Sequence, residues 1–195
     1  ADMIMAKDMD LLTYNHLGPK TAVCPTRIEP PLHPNLGEKI IQPFGLYPEE
    51  FTKDAFIDFV ENNKDSDKVT DGIFAPWMMN KDEFLSIGGH DPRMHSCRED
   101  SDVFNRLALA GFTFKQPWNA FVYHFTGRGA GQFSQSETEI DKKRHAFWKK
   151  QMHNSTREFV RKWKSNITHT NEMKPIVSPK YNIGIVINNC NNNLL

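Results

Sequence analysis

The chain has 195 residues, enough to bury one substantial core. Lys plus Arg and Asp plus Glu are each 24, so the net charge is zero and bulk electrostatics give no support to a nucleic acid or an anionic membrane as partner. Three widely spaced cysteines, Cys24, Cys97 and Cys190, make neither a disulfide framework nor a zinc knuckle, and a reducing, cytoplasmic setting is expected. No run of about 20 apolar residues occurs, so no transmembrane segment is expected. Hydrophobic residues are only 38% of the chain, but 14 Phe and 4 Trp concentrate the burial in rings worth about 2–3 kcal/mol each.

In chain order, the Met-rich start Ala1-Asp2-Met3-Ile4-Met5 reads as the end of a strand, followed by a short helix from near Lys7. Thr21 to Cys24 is a short buried strand closed by Pro25. Ile28 to Pro34, with Pro30, Pro31 and Pro34, is expected to be an irregular loop, because each proline biases the preceding residue away from the helical region. After Pro48-Glu49-Glu50, the spacing of Phe51, Phe56, Ile57, Phe59 and Val60 predicts an amphipathic helix. Gly72 to Met79 is apolar throughout and suits a buried strand interrupted at Pro76. Lys81 to Ile87 predicts a short helix that Gly88-Gly89 terminates.

From Asp100 the apolar positions Val103, Phe104, Leu107 and Ala108 fall at helical spacing, with Gly111 as the stop. Phe112-Thr113-Phe114 and Ala120 to Phe125 read as strands on their aromatic and β-branched content. Thr126 to Gly131 is a glycine-rich loop carrying Arg128. It does not open into a helix, so it is not a dinucleotide fingerprint. Ile140 to Trp163 predicts a charged helix with Phe147, Trp148, Phe159, Val160 and Trp163 as its buried stripe, and Ile183 to Ile187 is one strand-like stretch in the tail.

The densest chemistry lies in "GGHDPRMHSCREDSD", residues 88 to 102. Acids at a helix start are most often caps and dipole partners. Asp91, Glu99, Asp100 and Asp102 exceed what one helix end needs, and a partly desolvated carboxylate there makes a competent general base. His124, at a strand end, is either a satisfied rim histidine or a metal ligand that needs oxygen partners, of which Asp2 is one. Trp77, after Pro76, is a core residue or a stacking platform for a sugar. Arg128 is a turn residue or a cation able to meet a phosphate. No Gly-x-Ser-x-Gly, His-Glu-x-x-His or P-loop is present, so hydrolases and NTPases lack their usual anchors.

Together, "FLSIGGHDPRMHSCREDSDVFNRLALAGF", "NAFVYHF" and "ADMIM" resemble the C-terminal part of the catalytic domain of an inverting family 2 glycosyltransferase of GT-A fold, over roughly residues 1 to 130. The proline-rich 27–34 segment and the C-terminal ending also resemble glycosyltransferase-like proteins of large viruses and phages. The resemblance implies an α/β fold with a GT-A-like mixed sheet flanked by helices, lacking much of the N-terminal nucleotide-binding half. Residues 1–135 would form the catalytic portion, and residues 136–195 a helical C-terminal extension packed on the same domain.

It further implies transfer of a sugar from a nucleotide-sugar donor to a glycan or other hydroxyl acceptor with inversion. Asp100 would be the base, with Glu99 its orienter or alternate. Asp2 and His124 would hold Mn2+ or Mg2+, and Gly88, Gly89, His90, Trp77, Arg128 and Asp102 would contact donor or acceptor. His90 departs from the family's usual aromatic, and the earlier acid of the metal motif would precede Ala1. A non-catalytic carbohydrate- or protein-binding remnant of the fold, or a galactosyltransferase-type enzyme, are the alternatives.

Overall fold

A computed structural model describes residues 2–95, 97–127 and 139–177. Two mixed sheets are flanked by helices, an α/β arrangement. The first sheet has the order β1(Met3–Met5), β7(Phe121–His124), β3(Thr26–Glu29), β4(Ile40–Ile41), with β7 antiparallel to β1 and parallel to β3. The second has the order β2(Thr21–Val23), β6(Thr113–Pro117), β5(Val69–Thr70). β6 runs parallel to β2 and antiparallel to β5.

Alternation along the strands divides the chemistry. In β3, Ile28 packs into the core while Arg27 and Glu29, two residues apart, share the other face. In β7, Phe121 and Tyr123 enter the same core, and His124 turns out of it. This core is an aromatic cluster: Tyr123 meets Phe44, Phe51, Phe56 and Phe125 with ring centroids 5.1–6.2 Å apart, contacts worth about 0.5–1.5 kcal/mol each beyond burial. The Tyr123 hydroxyl donates to the Gly45 carbonyl at 2.6 Å, so no polar atom is stranded there. Helix α1(Met9–Tyr14) and helix α2(Lys53–Asn63) cover the cluster, α2 through Phe56, Phe59 and Val60, while Ile57 faces outward.

A second core joins Ala22 of β2 and Phe114 of β6 to Val103, Phe104 and Leu107 of α4(Glu99–Leu109). Short α3(Lys81–Ser86) starts at Asn80, whose side chain accepts from the amides of Asp82 and Glu83, and ends at Gly88 and Gly89. Both glycines have positive φ, 92° and 61°, the left-handed conformation that side chains resist. Helix α5(Glu139–Trp163) packs back through Phe159 and Trp163 onto Met94.

Three expectations need correction. Ile28 and Glu29, expected to begin an irregular loop, instead end a central strand, because the prolines at 30 and 31 act only after Glu29 has paired. Residues 72–79 form no strand beyond one bridge from Met78 to Val23; the stretch is apolar because Ile73, Trp77 and Met79 pack into the second core. The stripe on α5 is shorter than its spacing suggests: Phe147 is 62% exposed and Val160 37%, while Phe159 and Trp163 are buried. The strand-like stretch at 183–187 lies outside the described residues.

Candidate functional site

The register of the first sheet assembles the site. Met3 pairs with His124, which puts Asp2 beside the imidazole, and the Asp2 carbonyl accepts from the Phe125 amide at 2.9 Å. Ile28 pairs with Tyr123, so the next residues along, Glu29 and His124, also stand together. His124 Nδ1 donates to Glu29 Oε1 at 2.9 Å, and Nε2 lies 3.6 Å from Asp2 Oδ2. Both ring nitrogens thereby face carboxylates, Nδ1 that of Glu29 and Nε2 that of Asp2, which fixes the ring's orientation.

Glu29 is the buried hub of this arrangement. Arg27 Nη1 reaches it at 2.7 Å and Lys39 Nζ at 2.8 Å, and all three side chains are nearly inaccessible. Burial alone would raise the Glu29 carboxyl, but the hydrogen bond from His124 and the bonds and charges of Arg27 and Lys39 outweigh it and bring it down to about 2. Burial also works against a charged His124, yet its bonds to Asp2 and Glu29 and their charges leave its pKa raised. Arg27 lies flat over Phe74, its guanidinium carbon 3.5 Å from the ring centroid.

These side chains line an open cleft of about 510 Å³. Asp2, Arg27, Glu29, Lys39 and His124 form one wall, and Glu99, from the start of α4, approaches from another. A second cavity of about 210 Å³ lies beside the cleft, and the two share Phe74, Ala75, Cys97 and Glu99. Among the described residues, Glu99 Oε2 is buried without a hydrogen-bond partner. Desolvation, reinforced by the charge of Asp100, raises its pKa. Cys97 and Arg98, just before α4, both have left-handed φ, 66° and 73°, a strain of about 1–2 kcal/mol per residue in the turn that presents Glu99.

The other candidates fall in different places. Asp100 lines the second cavity rather than the cleft, and its Oδ1 accepts from Trp77 Nε1 at 3.1 Å. Trp77 is a packing residue, edge-on to Phe84 and Phe104, and His90 is exposed against Phe84 and Trp77. Gly88 and Gly89 do not border the cleft: they cap α3 and place the Gly89 carbonyl where Arg106 binds it. Asp102 is completely buried and does not reach the cleft either, since it accepts from Arg106, Lys162 and Trp163 and so ties α5 to α4. Arg128 lies outside the described residues.

Sequence reasoning missed Arg27, Glu29 and Lys39. The signal was present in Arg27-Ile28-Glu29, two charges flanking an apolar residue at strand spacing, but the prolines that follow obscured it.

The donor set suits a hard or borderline divalent cation. One carboxylate oxygen and one imidazole nitrogen stand 3.6 Å apart, with a second carboxylate orienting the ring from behind. Among the described residues no group of three or more His, Cys, Asp or Glu side chains is arranged to hold a metal. A cation here would complete its coordination from the ligand and water, the usual manner of Mg2+ at phosphate sites. No family model matches the chain, and neither a curated protein nor a solved structure does. No described helix is long and apolar enough to cross a membrane.

Proposed function

We propose that the protein is a glycosyltransferase that moves a sugar from a nucleotide-sugar donor to an acceptor hydroxyl with inversion, and that the donor diphosphate occupies the cleft beside Asp2 and His124. The observation that carries this reading is the oriented pair itself: Glu29 holds Nδ1, which leaves Nε2 directed at Asp2 in a cleft that also contains Glu99. Asp2 and His124 would hold Mn2+ or Mg2+, whose charge would neutralise the departing diphosphate.

Glu99 takes the acceptor proton. Of the two adjoining acids it is the one that borders both chambers and keeps an oxygen unpaired among the described residues, whereas Asp100 is bonded to Trp77 and walls the second cavity. As the acceptor oxygen bonds to the anomeric carbon, the bond from that carbon to the diphosphate breaks and the nucleoside diphosphate leaves with the electron pair. The proton passes to the Glu99 carboxylate. Arg27 and Lys39, both paired with Glu29 and Lys39 also with Glu38, keep the wall rigid. The cytoplasmic, reducing setting belongs to the same proposal, with Cys24 and Cys97 as free thiols.

Calorimetric titration with a panel of nucleotide sugars, with and without Mn2+, tests this. Binding that requires the metal supports a transferase; a panel that never binds leaves the non-catalytic remnant of the fold.

A further inference from the structure

The second cavity has a character of its own. Its floor is apolar, from Ile73 and Phe104, and its roof comes from Ile167 and Met173, in the segment that follows α5. That segment is built to sit there. It folds back on itself through one bridge between His169 and Pro175, the Ile176 amide donates to the Thr168 carbonyl at 2.9 Å, and Lys174 pairs with Asp71 at 2.7 Å. Gly72 admits it, because a Cβ at that position would collide with the Glu172 carbonyl.

The volume of about 210 Å³ lies just below the range of drug-sized sites, with room for one compact molecule. Glu99 and Asp100 stand at its polar end against Arg98, a balance that disfavours an anion. Ser101, Asn105, Thr168 and His169 offer some polar partners, but the hydroxyls a free sugar sets against Ile73, Phe104 and Ile167 would stay unpaired, at about 1–3 kcal/mol per buried polar group. The unpartnered Glu99 oxygen lacks a donor that one ligand hydroxyl supplies.

We propose that this chamber binds a neutral, hydroxyl-bearing molecule with an apolar or aromatic body, its hydroxyl at Glu99 and its body between the Ile73–Phe104 floor and the Ile167–Met173 roof. As the acceptor class of a transferase the inference rests on the function proposed above. The binding itself does not.

The test is titration of the whole protein with p-nitrophenyl β-D-glucoside, free glucose and p-nitrophenyl phosphate, without nucleotide sugar or metal. The aryl glucoside is expected to bind at least tenfold more tightly than either control. Met173→Asp and Ile167→Asp, each checked for a native unfolding transition, should each weaken it at least tenfold, while His33→Ala, in the other chamber, leaves it unchanged. Equal binding of glucose or the phosphate, absence of aryl glucoside binding, or full binding by both folded variants would overturn the proposal. Failure here alongside metal-dependent nucleotide binding removes the acceptor class alone.

Discussion

His124 and Glu29, on the neighbouring parallel strands β7 and β3, stand 2.9 Å apart from Nδ1 to Oε1, and this contact fixes which face of the imidazole the cleft receives. The same carboxylate carries the buried cations Arg27 and Lys39.

Removing Glu29 therefore unbalances a core as well as a site. Glu29→Ala is expected to destabilise the fold by about 3–5 kcal/mol, the usual cost of leaving a buried charge unpaired. Urea unfolding measures it, and a loss under about 1 kcal/mol would show that the cluster is hydrated.

Helix α5 is held by Asp102, which accepts from Arg106, Lys162 and Trp163 within 2.9 Å while completely buried. Asp102→Ala should cost about 3–5 kcal/mol and expose Trp163 to quenchers, because two cations lose their shared partner. Asp100→Asn, bonded only to Trp77 among the described contacts, is expected to cost far less.

Acid should loosen the same helix end. The hydrogen bond from Arg93, helped by Lys162 and opposed by partial burial, holds the Asp91 carboxyl far below the ordinary 3.8. With the folded value depressed, its contribution is complete above about pH 3.8 and fades as pH falls through the folded value. Thermal unfolding of Asp91→Asn against the parent chain should show a gap at pH 6 that closes toward strongly acid pH.

Glu99 has the opposite sign. Its folded pKa is raised, first by desolvation, so the cost of ionising it is absent below about pH 4.5, grows as pH rises to the folded value and is full above it. Glu99→Gln should accordingly melt higher than the parent at pH 8 and alike at pH 4. A lower melting point at pH 8 would show that the carboxylate stabilises the fold.

How much of this was legible depended on local signals. Helix α4 and strand β7 were readable because helical spacing in one and aromatic run in the other agree with the cores they enter. Strand β3 was not, because half of it is charged and two prolines follow it; only pairing with β7 and β4 makes it a strand. The expected Asp2 and His124 do meet, since β1 register brings them together, and Glu99 reaches the same cleft. Glu29 meets His124 across 95 residues of sequence, a contact no local pattern carries. Asp102 looked like one more acid of a site, and its partners on α5 lie some 60 residues away.

The most direct measurement combines donor binding and nucleoside diphosphate release for the parent chain, His124→Ala and Glu99→Gln. The account predicts that His124→Ala loses Mn2+-dependent donor binding, and that Glu99→Gln binds donor as the parent does while turnover to acceptor falls by about 10²–10⁴. Undiminished metal-dependent binding by His124→Ala, or parental turnover by Glu99→Gln, would contradict it.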